Sequence, residues 1–387
     1  MAGKRDHFVP QHYLRKFRFN ETEQISIAVI EPFKFVGLGG INRQCQEDYF
    51  YEQNEALNDL LWRSEADISP VLIDVSRKMD FDSKERVALN MLAVLLNWRT
   101  KRAVEEAKAF DKYVAYEVIK SAIERGELPE PKGGWKEGMM DFGGVPGFLI
   151  QNAMIPCWME MQTLECKLLR ASAGNFFVTS DHPVVLLNQF CAHLEPHRSF
   201  VGFSRSGFQV IVPISPILCL FFYDAKVYKV GSKRRRSQEI SREDVEILNA
   251  LQVQSADRCL YFHSPTMENE VQSLVSRYGN LRVPVGETLR RLPGRNQTEE
   301  ILHMRAKSAK IPQPWAFCRF KRHVNSRPGD RRDPAWTATI SRLMTDINER
   351  PGDEDIFSRL RRILADPPQV SPADSSLFCA DPRRAAE

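Results

Sequence analysis

The chain has 387 residues, of which 43% are hydrophobic and 10% aromatic, and these proportions exclude a protein that is disordered throughout. No run of about eighteen apolar residues occurs, and no apolar stretch follows the charged N-terminus, so we expect neither a membrane span nor a secretory signal and assign the protein to the cytoplasm. The eight cysteines are scattered without a Cys-x-x-Cys pair, which argues against a disulfide framework or a structural zinc site and favours reduced, buried thiols.

Charge is distributed unevenly along the chain. The net charge is +4, yet residues 280–350 contain 15 Lys and Arg against 7 Asp and Glu, a local charge of +8. A second basic stretch is the run Lys233, Arg234, Arg235 and Arg236. Such patches suit a nucleic acid, with Trp315, Phe317 and Phe320 as stacking partners, but they are also typical of a solvated surface.

The first half of the chain shows mainly helical periodicity. An alternating strand at 24–30 is followed by a glycine break at 37–40. An apolar stripe predicts a helix over 54–78, with Glu65 at the edge of the stripe. Asp82 and Glu85 form a capping-box pattern, from which a helical pattern runs to about residue 124, with Gly126 as its stop. Near its middle, residues 97–100 form a polar interruption.

A Pro- and Gly-rich linker is predicted over 127–150, and the chain after it is β-rich from 155 to 265. The predicted elements are strands within 158–170 and at 175–179, 208–214, 217–223 and 258–262, and a helix capped by Ser241 that runs to 255. The two central strands are apolar throughout, which predicts burial on both faces.

The signal weakens beyond residue 285. Short helices are predicted at 298–307 and 336–347, and prolines interrupt the chain between them. We therefore predict an α+β fold in which a helical first half (45–126) packs on a mostly antiparallel sheet. The core domain would span 1–285, a less regular basic extension 286–365, and a disordered tail 366–387.

One polar and aromatic segment near the N-terminus, DHFVPQHYLRKF at 6–17, is the first candidate for a functional site. His7 lies outside any apolar helical face, where a neutral imidazole can act as a general base or bind a metal. The alternative is a histidine that anchors the terminus by a hydrogen bond to the backbone. Gln11 and His12 could join His7 on one side of a turn. Gln11 and Arg15 are candidate substrate-binding groups.

The second candidate is the turn formed by Thr179, Ser180, Asp181 and His182. Asp181 follows a strand, at a position where catalytic carboxylates are often displayed. A Ser-Asp-x-Pro turn is also explained by side-chain oxygens that accept backbone N–H groups. Ser180 and His182 are candidate substrate-binding residues, whereas no Gly-x-Ser-x-Gly elbow marks Thr179 or Ser180 as a nucleophile.

Glu65 and Arg99 are charges close to apolar helix faces. We favour a structural ion pair between them. The alternative is that Arg99 binds an anionic substrate while Glu65 orients His7, holds a metal or takes part in acid/base chemistry. A loop metal site is a further possibility at the His-x-Glu-x-His cluster of His193, Glu195 and His197, although Pro196 argues against a helix there.

Two motifs carry a resemblance to a known family. The pattern of His7, Val9, Pro10, Gln11, Tyr13, Leu14, Arg15 and Phe17, together with Thr179, Ser180, Asp181 and Pro183, resembles the family called domain of unknown function 4238, which is widespread in bacteria. Weaker agreement over Tyr49-Phe50-Tyr51, Glu65, Trp98-Arg99-Thr100 and the Leu248-Asn249 helix extends the resemblance over roughly 6–265. It implies a single α+β unit in which both motifs belong to one site. Members of the family often carry Asn or another polar residue where this chain has His182, so a chemical role for His182 is the weaker part of the hypothesis.

Two functions fit these residues. The first is a hydrolytic enzyme, nuclease-like or a phosphohydrolase, with His7, Asp181 and Glu65 as acid/base or metal-binding groups and Arg99 or Arg15 on a phosphate. A divalent metal ion is its candidate cofactor. The second is a non-catalytic binding or sensing protein in which the same motifs are structural and the basic regions recruit nucleic acid or a protein partner.

Overall fold

The structure is a computed structural model of the whole chain, and it describes residues 5–51, 55–129, 153–193, 201–282, 288–293, 300–305 and 309–349. Most of the predicted linker and the whole predicted tail lie outside these residues. Within them, no helix is long and apolar enough to cross a membrane. The seven cysteines in this part of the chain are free thiols, as predicted.

The N-terminal segment begins with β1 (Arg5–His7), which pairs antiparallel with β4 (Gln46–Asp48). Between them lie one helical turn and a hairpin, formed by α1 (Gln11–Leu14), β2 (Gln24–Val29) and β3 (Lys34–Gly40). The predicted strand is confirmed, but the predicted glycine break is wrong because these glycines belong to β3. A Cβ on Gly39 would lie only 2.6 Å from Ile27 Cδ1, so a glycine lets the two strands approach closely.

Three long helices follow, and their bounds are α2 (Glu55–Lys78), α3 (Ser83–Trp98) and α4 (Lys101–Glu124). The helix over 54–78 and the Asp82 capping box are confirmed. The helical pattern predicted from 82 to about 124 is confirmed, but it comprises two helices, because the chain breaks between α3 and α4 at the polar interruption. Thr100 is extended (ψ 153°) and its hydroxyl accepts the Ala103 N–H, so it caps a new helix.

The chain then forms α5 (Met154–Met161) and β5 (Glu165–Ala171). Strands predicted within 158–170 are therefore only partly correct. Met154, Ile155, Trp158 and Met159 are all buried, and this spacing is helical. The strand predicted at 175–179 is reduced to the two residues of β6 (Thr179–Ser180).

A five-stranded sheet forms the centre of the molecule, in the order β11-β5-β9-β8-β7. Its other strands are β7 (Val185–Leu187), β8 (Gln209–Ser215), β9 (Leu218–Tyr223) and β11 (Ser237–Ile240). All pairings are antiparallel except β11 with β5. Every residue of β8 and β9 is buried, as predicted from their apolar runs.

Alternate side chains of this sheet enter two hydrophobic clusters. Val210, Val212 and Phe222 join the first, with residues of α2, α3 and α5. Ile211 and Phe221 join the second, with residues of α6 (Arg242–Ser255). The period of two in a strand thus explains how one apolar run serves both clusters.

A smaller sheet, in the order β3-β2-β12-β6, includes β12 (Cys259–Phe262), the predicted closing strand. It is followed by α7 (Glu268–Tyr278) and by the hairpin of β13 (Thr288–Pro293) and β14 (Glu300–Arg305). The short helix predicted at 298–307 is therefore wrong, since β14 pairs with β13 along its whole length.

The last described segment packs against both clusters. β15 (Cys318–Phe320) pairs antiparallel with β10 (Tyr228–Val230), and α8 (Pro334–Glu349) contains the predicted helix at 336–347. Trp315 and Phe317 are 5% exposed and make edge-to-face contacts with Phe221, so they are not surface stacking partners, contrary to our prediction. The helical first half on a mostly antiparallel sheet gives the α+β fold that was predicted.

Candidate functional site

The N-terminal polar segment is shaped by β1 and the helical turn of α1. Phe8 N–H donates to the Cys45 carbonyl (2.9 Å), which continues the pairing of β1, and Pro10 is extended and precedes α1. Tyr13 and Leu14 are buried in the first cluster. Because Gln11 and Arg15 are four residues apart, they share the other side of this helical turn.

His7 is the centre of a chain of hydrogen bonds on that side. Its Nδ1 lies 3.1 Å from the Gln44 carbonyl and its Nε2 lies 2.7 Å from Gln11 Nε2. A carbonyl only accepts, so Nδ1 must carry the proton and Nε2 must be the accepting nitrogen. Arg15 supports this assignment, since it donates to Gln11 Oε1 (3.0 Å) and to Glu23 (2.8 Å), which leaves the Gln11 amide nitrogen to donate to His7.

The surroundings of His7 keep it neutral. Burial lowers the pKa of this half-buried imidazole, and the charges of Arg99 and Arg15 lower it further, against an opposing effect of Glu65 and of the bond to Gln44. A neutral imidazole with Nδ1 held by a backbone carbonyl is the form that can accept a proton or bind a metal through Nε2. The geometry therefore combines both sequence hypotheses for His7: it anchors the terminus and also presents a basic nitrogen.

Arg99 lies beneath this segment and is fully engaged within the protein. Its guanidinium donates to the His7 carbonyl (2.8 Å), to the Tyr51 hydroxyl (3.1 Å) and to Glu65 (2.7 Å). Only 3% of its side chain is exposed. The ion pair predicted between Glu65 and Arg99 is thus confirmed. The Nε, Nη1 and Nη2 atoms of Arg99 all donate to groups within the protein.

Glu65 also contacts His12. Its second oxygen lies 3.4 Å from His12 Nδ1, and 30% of the Glu65 side chain is exposed. Burial raises the pKa of Glu65, but the charge of Arg99 and hydrogen bonds from His12 and Arg99 outweigh it and lower the pKa to about 2. The carboxylate is therefore ionised at neutral pH. His12 Nε2 is buried and has no hydrogen-bond partner among the described residues.

Asp181 makes contacts of a different kind. Its carboxylate accepts the backbone N–H groups of Asp257 (2.9 Å), Arg258 (2.8 Å) and Cys259 (2.9 Å). Burial and the charge of Asp257 nevertheless raise the pKa of Asp181 to about 6. These three donors lie 76 to 78 positions away in the chain, so the Asp181 carboxylate does not form the local Asx turn of the alternative interpretation but holds the start of β12 against the end of β6. The local turn contact is made by Ser180, whose hydroxyl accepts the His182 N–H (3.3 Å).

The neighbours of Asp181 also face the interior. Ser180 donates to Gln252 Oε1 (3.0 Å), and the Gln252 amide donates to the Pro183 carbonyl (2.8 Å). His182 Nδ1 lies 2.6 Å from the Thr100 hydroxyl, and burial lowers the pKa of His182 to about 3. These contacts fix the turn on α6 and on the start of α4.

The two sequence motifs meet at Tyr13 and Thr179. Their hydroxyl groups lie 2.7 Å apart, and Tyr13 also donates to the Pro213 carbonyl (2.6 Å). A second connection runs through Arg99 and Thr100, adjacent residues that reach His7 and His182 respectively. The expectation that the segments meet is confirmed, although no described hydrogen bond joins the side chains of His7 and Asp181.

We define the His7 cluster as His7, Gln11, His12, Arg15, Glu65 and Arg99. It unites most of the predicted site residues, whereas Ser180, Asp181 and His182 lie in the adjoining turn. The contacts of His12 were not expected from the sequence, and Tyr13 and Tyr51 were recognised only as part of the family resemblance, not as members of the site. The available signal was that a tyrosine within an apolar segment needs a partner for its hydroxyl when it is buried.

The structure does not assemble a metal site from these side chains. Among the described residues, no group of three or more His, Cys, Asp or Glu side chains is placed to hold a metal ion. Of the predicted loop cluster, His193 is described and exposed, while Glu195 and His197 lie outside the described residues. The run from Lys233 to Arg236 is exposed, as predicted.

Comparison with known proteins matches the chain to a family of proteins. The model of the family described as Protein of unknown function (DUF4238) matches residues 5–266, which include both motifs and every residue of the His7 cluster. No curated protein and no solved structure matches the chain.

Proposed function

The chain belongs to the DUF4238 family of proteins of unknown function, and we propose that it is a hydrolase of phosphate esters in which His7 acts as the general base. The observation that supports this most is the tautomer of His7. Its Nδ1–H is bound to the Gln44 carbonyl, so its basic Nε2 points to the Gln11 amide. A general base requires a neutral nitrogen within hydrogen-bond reach of a water molecule.

Arg15 is the better candidate for the anionic group of a substrate. Its side chain is 41% exposed and lies beside Gln11, which contacts the base directly. Arg99 is only 3% exposed and is bound to His7, Tyr51 and Glu65, so it acts as a positioning residue. Glu65 balances the charge of Arg99 and so holds the backbone of His7 indirectly.

The proposed reaction begins when a water molecule replaces the Gln11 amide at His7 Nε2. His7 takes a proton from this water as its oxygen attacks phosphorus. The bond from phosphorus to the leaving oxygen breaks, and the imidazolium returns the proton to that oxygen. Arg15 offsets the negative charge that develops on the phosphoryl oxygens. Asp181, Ser180 and His182 support this site from the adjoining turn rather than contacting the reacting atoms.

We further propose that the phosphate ester is a nucleic acid, so that the protein would be nuclease-like. It is supported by the local charge of +8 over residues 280–350 and by the exposed run from Lys233 to Arg236. A divalent metal ion is the candidate cofactor, because it can lower the pKa of a bound water molecule. Activity should therefore be measured with and without added metal ions. The proposed compartment is the cytoplasm.

A second function is supported by the number of internal contacts. Asp181, Arg99 and Tyr13 all use their polar groups to hold one backbone segment to another. A non-catalytic binding or sensing protein would need the same contacts only for stability. In that case, substitution of His7 would lower the melting temperature and there would be no activity to lose.

The test is a screen for phosphomonoester and phosphodiester hydrolysis, with and without Mg²⁺, Mn²⁺ and Zn²⁺. His7→Asn is compared with His263→Asn, because His263 is also half-buried with a pKa lowered by burial but lies outside the His7 cluster, against Phe176. The proposal expects hydrolysis by the wild type and by His263→Asn, and its loss in a stably folded His7→Asn variant. Equal activity of all three, or no hydrolysis of any ester by the wild type, would overturn it.

A further inference from the structure

The outward side of α2 carries an exposed apolar stripe. Trp62 is 71% exposed and Ile73 is 53% exposed. Ala66 and Pro70, which lie between them, are exposed as well. Because these four residues follow one another at intervals of four, four and three positions, they lie on one side of the helix. We call Trp62, Ala66, Pro70 and Ile73 the α2 stripe.

The α2 stripe lies opposite the buried side of the same helix. That buried side packs in the first hydrophobic cluster through Leu61, Ile68, Leu72 and Val75. Each residue of an α-helix is turned by about 100° from the one before it, which places these four residues and the stripe on opposite sides of α2. An exposed apolar surface that contains a tryptophan and has charged residues at its rim is typical of an interaction site.

Charged residues flank the α2 stripe at both ends. Asp59 and Arg63 form an ion pair at its N-terminal end (2.8 Å), and Asp74 and Arg77 form another at its C-terminal end. The four side chains are exposed to solvent, by 53% and 71% in the first pair and by 49% and 77% in the second. Each end of the stripe therefore presents an acidic residue followed by a basic one.

We propose that the α2 stripe is the interface of a homodimer, in which two copies of α2 pack antiparallel about a twofold axis between Ala66 and Pro70. Asp59 lies seven positions before Ala66, and Arg77 lies seven positions after Pro70. In an antiparallel pair, Asp59 of one copy therefore faces Arg77 of the other.

The remaining residues of the stripe and its flanks also match in this arrangement. Arg63 lies three positions before Ala66 and Asp74 four positions after Pro70, so these opposite charges are neighbours across the axis. Trp62 and Ile73 lie four positions before Ala66 and three after Pro70, so the two large apolar side chains meet in the same way. The small side chain of Ala66 at the centre lets the two helices approach closely.

The order of the charges selects a reversed second copy as the partner. In a parallel pair of helices, Asp59 would face Asp59 and Arg77 would face Arg77, and such like-charge contacts are unfavourable. The antiparallel pair instead brings opposite charges together at all four flanking positions. A nucleic acid or an anionic membrane would meet one favourable and one unfavourable charge at each end of the stripe.

The expected interface is small. The helix rises 1.5 Å per residue, so the surface from Asp59 to Arg77 is about 27 Å long. One helix pair of this length lies at the low end of specific interfaces, and we therefore expect a dimer that dissociates on dilution.

The interface leaves the His7 cluster accessible from α2. Glu65, which α2 contributes to that cluster, precedes Ala66 and is turned by about 100° from it, so it lies outside the stripe. Dimer formation goes beyond the proposed hydrolysis and does not depend on it.

The experiment is sedimentation velocity of the full-length protein, whose monomer has a mass of 44.5 kDa. Protein concentrations should extend to about 100 μM, where even weak interfaces of this size associate. The wild type should shift from monomer to dimer within this range. Trp62→Ala should weaken the dimer by about tenfold or more, as expected for an aromatic residue central to an interface. The control is Phe320→Ala, which removes another exposed aromatic ring (52%) outside α2 and should leave the dimer unchanged.

Charge reversal tests the antiparallel arrangement. Arg77→Asp places a carboxylate opposite Asp59, and Asp59→Arg places a guanidinium opposite Arg77, so each substitution alone should weaken the dimer. The two substitutions combined restore opposite charges across the axis and should recover it. Arg234→Asp, the same charge change in the exposed loop after β10, should have no effect.

Three results would overturn the inference. The first is a monomer at every concentration, which would leave the α2 stripe to a different partner. The second is a wild-type dimer whose affinity is unchanged in Trp62→Ala, because another surface would then hold it. The third is a double variant that dimerises no better than Arg77→Asp, because the antiparallel pairing of charges would then be absent.

Discussion

The hydroxyl groups of Tyr13 and Thr179 lie 2.7 Å apart although 166 positions separate them in the chain. Tyr13 gives its own proton to the Pro213 carbonyl, so the Thr179 hydroxyl must be the donor to Tyr13. This pair joins the N-terminal motif, the Ser-Asp turn and the central strand β8. It holds α1 in place, and α1 in turn supplies Gln11 and His12 and is followed directly by Arg15.

Removal of the Tyr13 hydroxyl should therefore destabilise the fold. Tyr13→Phe is expected to lower the free energy of unfolding by about 1–3 kcal/mol, because the buried Pro213 carbonyl loses its donor. Tyr49→Phe is the control, since the Tyr49 side chain is 46% exposed. It should cost less than about 0.5 kcal/mol. Urea denaturation that also includes Thr179→Val and the double variant should show that the two losses are not additive.

Asp181 is expected to stabilise the fold rather than to take part directly in the reaction. Asp181→Ala leaves the N–H groups of residues 257–259 without their acceptor, and we expect a loss of about 3 kcal/mol or more. Asp181→Asn should cost less because its amide oxygen still accepts. Asp67→Ala, at an exposed position of α2, serves as the control. An Asp181→Ala variant that melts like the wild type but has lost hydrolysis would instead place Asp181 among the catalytic groups.

His182 should make the fold sensitive to acid. Its pKa is lowered from 6.5 to about 3, so the unfolded chain binds a proton below pH 6.5 while the folded protein does not. Stability from this group is complete above pH 6.5 and falls as the pH is lowered towards 3. At about pH 5 the loss is about 2 kcal/mol. His182→Asn should remove this loss, so its unfolding free energies at about pH 7.5 and about pH 5 should differ less than those of the wild type. An unchanged difference would contradict the prediction.

Arg99 should be one of the most sensitive positions in the chain. Arg99→Leu removes the donor to the His7 carbonyl and to Tyr51 and leaves Glu65 without its partner, so we expect a loss of about 3–5 kcal/mol, as for other buried pairs. Arg63→Leu is the control, because Arg63 is 71% exposed and pairs with Asp59 on the same helix. Its expected cost is about 0.5 kcal/mol or less. The measurement is thermal melting of both variants. Similar losses of stability in Arg99→Leu and Arg63→Leu would contradict the prediction.

The fold was predictable from the sequence where a local pattern decides the structure. The buried runs of β8 and β9, the Asp82 cap and the Ser241 cap all depend on nearby residues. Other elements were not predictable, because a tertiary contact overrides the local pattern. The break at Thr100 depends on a hydroxyl that caps α4 and contacts His182, and the β14 strand depends on its partner β13.

The candidate site was predictable to a similar extent. Residue types and spacing identified His7, Gln11, Arg15, Glu65 and Arg99, and the pairing of the last two was foreseen. The sequence did not show that the Asp181 carboxylate accepts three backbone N–H groups, or that every nitrogen of the Arg99 guanidinium donates to a group within the protein. Both follow from chain segments that meet only in the folded protein, and they shift the proposed chemistry towards His7 and Arg15.

The pH dependence of kcat/KM for phosphodiester hydrolysis tests the role of His7 most directly. A general base at His7, with its pKa lowered by burial, predicts a rate that falls on the acid side with an apparent pKa below 6.5. The acid limb should disappear together with most of the activity in His7→Asn, while the melting temperature stays within a few degrees. A His7→Asn enzyme that keeps both the rate and the acid limb would contradict the assignment of His7 as the base.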